Sequence, residues 1–239
     1  MAKILALDTS TDACSVALYI DGEVREDFRI IPRQHTKQLL PMVSEILDQA
    51  GLKVSQLDAV AFGRGPGSFA GIRIATGVAQ GLAFAAQLPV IPVSTLAAIA
   101  LVSADKYRVE RIVSTLDARM NELYSAAYEI RAGLPVLLDS ETVSAPQDIV
   151  LPEIVQPDGG NWFAAGKGWL YLEDMPAAVK DAVSDPVLEI YPTAAAMVRI
   201  AAEELANGRT VKADDALPVY LRDEVAWKKK DQQKKKHQQ

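Results

Sequence analysis

The run from Gly63 to Arg73, G-R-G-P-G-S-F-A-G-I-R, constrains the fold more than any other stretch of this chain. Its four glycines and one proline stand between an apolar run, Leu57 to Phe62, and a long small-residue segment, Ile72 to Ala86. Glycine reaches backbone conformations that other residues resist and proline fixes its own φ, so the stretch reads as a shaped strand-to-helix turn. Ser68 is the natural N-cap of the following helix, accepting from an otherwise unpaired amide of the first turn. Amides from Gly65, Gly67 and Ser68 at a positive helix end suit a phosphate or a carboxylate. Close packing of strand on helix asks for the same glycines, and no Lys-Ser or Lys-Thr follows to make a Walker loop.

Ahead of that turn, Ile4 to Leu7, Cys14 to Ile20 and Glu23 to Ile30 read as strands, the last two joined by the hairpin dipeptide Asp21-Gly22. The first strand ends in Asp8-Thr9-Ser10-Thr11. A carboxylate with short hydroxyls suits a phosphate or a hydrated metal ion, and it equally suits a turn that bonds its own backbone. Thr36 to Ala50 is helical in pattern, with Leu39, Leu40, Met42, Val43, Ile46 and Leu47 on a wide apolar arc and Gly51 as its stop. Pro41 inside that pattern predicts a kink or a later start. The helix after the glycine loop carries Gly77, Gly81 and Ala85 at four-residue spacing, a smooth face for the parent sheet or for another protein.

After a strand at Val90 to Val93 and a short helix from Ser94 to about Val102, the opening theme returns. I-L-A-L-D at Ile4 to Asp8 reappears as V-S-T-L-D at Val113 to Asp117, and Tyr19 and Tyr128 keep the same offset. A strand from Leu123 to Ile130, a turn at Ala132-Gly133 and a third strand near Val136 to Leu138 follow. This repeat predicts an α/β protein of two lobes with like topology and mixed sheets flanked by helices. The plan resembles the actin, sugar kinase and heat-shock ATPase fold, of ribonuclease H-like topology, in which phosphates lie between the lobes. The second turn, Asp117 to Glu122, has no glycine to admit a phosphate, so the site looks degraded on that side. We divide the chain into a first lobe at 1–105, rejoined by about 212–227, a shorter second lobe at 106–211, and a tail at 228–239. In the second lobe Pro146 to Val155 and Thr193 to Ala206 read as helices and Trp162 to Ala165 as a strand.

Charge and cysteine content narrow the classes. The tail holds six Lys and one Asp and reads as disordered, leaving 19 Lys and Arg against 30 Asp and Glu in the rest, a net of −11. Such a body is a poor nucleic-acid binder by itself. The single cysteine, Cys14, excludes an internal disulfide and fits a reducing cytoplasm, and neither a signal peptide nor a membrane span is expected. With His35 and His237 as the only histidines, no His/Cys metal cluster and no activated nucleophile are expected, so we assign no catalytic and no metal residues.

The glycine loop, the opening I-L-A-L-D-T-S-T-D-A-C-S-V-A-L, the segment R-Q-H-T-K-Q-L-L-P-M and the late P-V-Y-L-R-D-E-V-A-W-K-K together resemble the bacterial TsaB (YeaZ) family of tRNA threonylcarbamoyladenosine biosynthesis proteins. Ala70 departs from the threonine usual in that family. The resemblance implies a non-catalytic scaffold for TsaD, the metal-bearing relative that attaches the threonylcarbamoyl group in t6A37 modification of tRNA. It implies docking as a heterodimer through Leu39, Leu40, Val43 and Leu47 of one helix and Ile74, Gly77, Val78 and Gly81 of the next. TsaE, a P-loop ATPase, would join the pair, with ATP or ADP and a metal belonging to the complex rather than to this chain. Self-association as a homodimer is expected when the chain is alone, and tRNA is reached only through the complex. The competing readings are an actin-like ATPase or phosphotransferase using Asp8, Thr9, Ser10 and the glycine loop, and a glycoprotease-like peptidase.

Overall fold

The computed structural model describes residues 2–152 and 161–222. The Lys-rich tail, the closing segment beyond Arg222 and the far end of the helix expected at 146–155 lie outside them.

The first sheet is built from β1 (Lys3–Asp8), β2 (Ala13–Ile20), β3 (Glu23–Ile30), β4 (Ala59–Gly65) and β5 (Val90–Ser94), in the order β3-β2-β1-β4-β5. β1 is antiparallel to β2 and parallel to β4. It is buried on both faces, which is why it reads as an almost unbroken apolar run. β3, at the edge, is charged and largely exposed, as an edge strand must be to avoid pairing with other chains. Asp21-Gly22 forms the hairpin turn, with both residues at positive φ.

Helices α1 (His35–Ala50) and α2 (Phe69–Ala86) cover one face of this sheet, packing Leu39, Val43, Leu47, Ala79 and Ala83 against Leu5, Leu7, Val16 and Phe62. α1 starts ahead of Pro41 rather than after it, and Gly51 at φ 64° ends it as expected. Ser68 caps α2 by accepting from the Gly71 amide. By length and composition α2 is apolar enough to cross a membrane, and here its Ala75, Ala79 and Ala83 lie on the sheet.

The second sheet repeats the plan. β6 (Arg111–Arg119), β7 (Glu122–Arg131) and β8 (Leu134–Leu137) form the meander, β10 (Phe163–Ala165) lies parallel to β6, and β9 (Thr142–Ser144) pairs with β7 beyond the end of β8. The order β10-β6-β7-β8 matches β4-β1-β2-β3, so the chain is an α/β protein of two actin-like lobes with mixed sheets. The repeat is not in step throughout. Asp8 pairs with Ser15 whereas Asp117 pairs with Leu123, one residue fewer, so Tyr19 and Tyr128 are not equivalent positions. A two-residue turn at Met120-Asn121 replaces the longer loop after Asp8.

The division into lobes also shifts. α3 (Thr95–Tyr107) is buried between the sheets, its Leu96, Ile99 and Ala100 against Ile112 and Tyr128 and its Ala98 and Leu101 against the first sheet. α5 (Ala194–Ala206), placed by sequence in the second lobe, packs Ala194, Met197, Val198 and Ala201 on the first sheet. Its first amides are met by Ser15 and Glu26 of that sheet. Instead of a helix at 146–155 the described residues show one 3₁₀ turn, Pro146–Asp148, where Pro146 fills its first position. A longer 3₁₀ segment, Lys167–Asp174, and α4 (Ala177–Ala182) cover the outer face of the second sheet, with Trp162 and Trp169 at the centre of that cluster.

Candidate functional site: the interlobe cleft and the outer face of α2

A cleft of about 1100 Å³ opens between the lobes, bounded by the start of α2, the β6–β7 hairpin and residues 219–222. Of the residues proposed from sequence for a nucleotide or anion, Ser10, Gly67 and Ser68 line it. Asp8, Thr9 and Gly65 do not. Asp8 is wholly buried, and its Oδ1 accepts from the amide and hydroxyl of Ser10 at 3.1 and 2.8 Å. Its Oδ2 has no partner among the described residues and faces Gly63, where an added Cβ would stand 2.0 Å away. Burial pushes its carboxyl up to about 7, only partly offset by the Ser10 hydrogen bonds. Thr9 spends its hydroxyl on the Gly71 carbonyl at 2.6 Å.

The glycines of the loop answer to packing. A Cβ at Gly71 would meet the Thr9 carbonyl oxygen at 2.0 Å, and one at Gly67 would meet the Ser10 carbonyl oxygen at 2.6 Å. The Ser68 amide donates to that same Ser10 carbonyl at 2.8 Å. Gly65, at φ 102°, lies against Val219. The β1–β2 turn therefore packs directly on the glycine loop, with Asp8 buried beneath it and outside the cleft lining.

The second lobe repeats this close approach at a place sequence reading passed over. A Cβ at Gly166, φ 97°, would stand 2.1 Å from the Thr115 carbonyl oxygen, and Gly168 crowds the Thr115 side chain. The signal was the G-K-G run, residues 166–168, directly after a short apolar strand. Lys167 between them lines the cleft and reaches Asp12 of the first lobe at 3.8 Å and Glu189 at 3.9 Å. Asp117 is held by Tyr171 and by the Arg119 amide. Cys14 is buried, its thiol pushed up to about 12 chiefly by burial, and His35 is buried with Nε2 3.2 Å from the Ala13 carbonyl. Among the described residues no cluster of three or more His, Cys, Asp or Glu is placed to hold a metal ion.

The docking residues implied by the resemblance divide in two. Leu39, Val43 and Leu47 are 1%, 3% and 5% exposed and belong to the core beneath α1, so they present no docking face. Turning each outward forfeits roughly 1.5–3 kcal/mol of burial, which the sheet wins. Leu40 is exposed on the same helix. On α2, Ile74 and Val78 are half-buried against the core, while Gly77 and Gly81 are exposed with nothing within 4 Å of an added Cβ. Phe69 and Phe84, 57% and 71% exposed, flank this smooth stretch on the same helix, and Ala70 and Arg73 complete the face.

Two lobes of duplicated β-β-β topology around a cleft define an actin-like protein. The family model described as "TsaD: tRNA N6-adenosine threonylcarbamoyltransferase" matches residues 29–230. The chain is 42% identical to the tRNA threonylcarbamoyladenosine biosynthesis protein TsaB of Escherichia coli, over 95% of this chain and 97% of that one. It is 41% identical to TsaB of Haemophilus influenzae, over 95% and 96%. The solved structure of YeaZ from Pseudomonas aeruginosa superposes with a TM-score of 0.85 at 45% identity, covering 92% of this chain and 100% of that one. The chain belongs to the TsaB (YeaZ) family.

Proposed function

We propose that this protein serves t6A37 modification of tRNA as a non-catalytic partner of TsaD, docking through the outer face of α2 with Leu40 of α1 beside it. The observation that carries the reading is the exposed glycine pair. Gly77 and Gly81 stand mid-helix with open space above them, and each costs the helix about 0.5–1 kcal/mol relative to alanine. Among the described residues nothing uses their smallness, whereas a second helix backbone seated on α2 would. The exposed phenylalanines at either end supply anchors for such a contact. In this reading ATP, ADP and metal chemistry belong to TsaD and TsaE, tRNA is reached through the complex in the cytoplasm, and the same face pairs two copies when TsaD is absent.

Gly77→Leu or Gly81→Leu tests it. The folded chain has room for either side chain, and the affinity for TsaD in a titration should fall more than tenfold, at least about 1.4 kcal/mol. An unchanged affinity removes the reading. An ATPase using Asp8 needs that carboxylate at the cleft, where its burial does not put it. Measurable ATP turnover by the isolated chain, lost in Asp8→Ala, would restore that alternative.

A further inference from the structure

Residues 211–222 run from the first sheet across the mouth of the cleft to the second. Val211 pairs with Val90, the Ala216 carbonyl accepts from Gln80, and the Val219 amide donates to the Arg64 carbonyl at 2.8 Å. Tyr220 then leans on α2. Its ring lies 5.9 Å from that of Phe69, and its hydroxyl accepts from Arg73 Nε at 2.8 Å. The Arg73 guanidinium stacks 3.6 Å over the Phe69 ring. Two residues on, Arg222 donates to the Ala118 carbonyl at 3.2 Å and pairs with Glu122, both in the β6–β7 hairpin of the second lobe.

That hairpin is held under backbone strain. Arg119, Met120 and Asn121 stand in succession at φ 63°, 57° and 59°, left-handed conformations that Arg and Met rarely adopt. Met120 at its tip is 81% exposed. Its side-chain contacts include those of Arg222, which come from outside the lobe.

We propose that residues 217–222 are a latch coupling the outer face of α2 to the interlobe cleft. The segment belongs to both places. Val219, Tyr220 and Arg222 line the cleft, while Leu217 and Tyr220, 64% and 44% exposed, extend the apolar face that begins at Phe69. For its trigger the latch rests on the docking reading above. A partner seated over Phe69 meets Tyr220 next, and displacing Tyr220 from Arg73 frees Arg222 to leave the hairpin and open the cleft.

Hydrogen exchange of the full chain reads both ends of the latch. Tyr220→Ala removes the contacts to Phe69 and Arg73 of α2, and we expect it to speed exchange across residues 116–124 about fivefold, the factor a partly exposed ion pair such as Arg222–Glu122 is worth. Arg222→Ala should do the same, and Phe84→Ala, fifteen residues beyond Phe69 on α2, should leave the hairpin unmoved. Hairpin exchange unaffected by Tyr220→Ala overturns the latch, because the two ends are then independent. Adding TsaD from the same genome should change protection at Val219 and in the hairpin together. Tight binding with no change in the hairpin overturns the latch and leaves docking standing. Absence of binding, with the hairpin still freed by Tyr220→Ala, instead overturns the docking reading and with it the coupling to a partner.

Discussion

Arg64 of β4 and Glu141, 77 residues further along, meet at 3.2 Å across the two lobes. The Glu141 side chain is 5% exposed, and its other oxygen accepts from the Tyr128 hydroxyl at 3.0 Å and from Ser94. Burial, and after it the Glu141 charge, hold the Tyr128 hydroxyl well above its ordinary range, so it stays a donor. One carboxylate thus joins strand β4, the cap of α3 and strand β7.

Removing that carboxylate should loosen the junction. Glu141→Ala leaves two hydroxyls and a guanidinium without their acceptor, and we expect a loss of about 2–4 kcal/mol in urea unfolding. Arg64→Met with Glu141→Leu should recover part of it, since no charge is then left unpaired. A loss in Glu141→Ala no larger than about 0.5 kcal/mol would place the cluster among ordinary surface contacts.

The glycines of α2 and its leading loop should respond in opposite directions. Gly77→Ala and Gly81→Ala, with open space above them, should each stabilise the isolated chain by about 0.5–1 kcal/mol. Gly71→Ala drives a Cβ to 2.0 Å from the Thr9 carbonyl, where only backbone movement gives relief, and should cost about 3 kcal/mol or more. Thermal unfolding of the three variants decides it. Equal effects at the two places would contradict the assignment of one to surface and the other to packing.

Asp8 predicts a pH dependence of defined sign. Its carboxyl is raised from 3.8 to about 7 in the folded chain, so the fold favours the protonated form. The stability it contributes is fully present below the unfolded value near 3.8 and is lost as pH rises through about 7. The slope from this group is at most about 1.4 kcal/mol per pH unit. Asp8→Asn should flatten stability between pH 4 and 7 relative to the unsubstituted chain. Identical pH profiles for the two would show that Asp8 is not buried as described.

Much of the fold was legible where its signals are local. The Asp21-Gly22 and Ala132-Gly133 turns, the Gly51 stop of α1 and the Ser68 cap of α2 each follow from a few neighbouring residues and stand where the sequence puts them. The repeat of Ile4–Asp8 at Val113–Asp117 likewise announced two lobes, since matching strand patterns need matching partners. α5 was misplaced because an amphipathic helix reveals that it has a buried face and not which sheet buries it.

What tertiary structure alone decided is how side chains were spent. The apolar arc of α1 reads the same whether it faces a core or a partner, and the first sheet claimed Leu39, Val43 and Leu47 because burying them there is worth more than exposing them. The turn after β1 reads as a phosphate site or as a self-bonded turn. The fold bonds Asp8 to Ser10 and Thr9 to Gly71 and packs Gly67 and Gly71 on Ser10 and Thr9, contacts that no local pattern announces. Contacts such as Arg64 with Glu141 and Arg222 with Glu122 join residues 77 and 100 positions apart, a separation at which one sequence carries no pairing signal. Local chemistry fixed the elements and their ends, and the competition for burial between distant segments decided which faces were left over to meet another molecule.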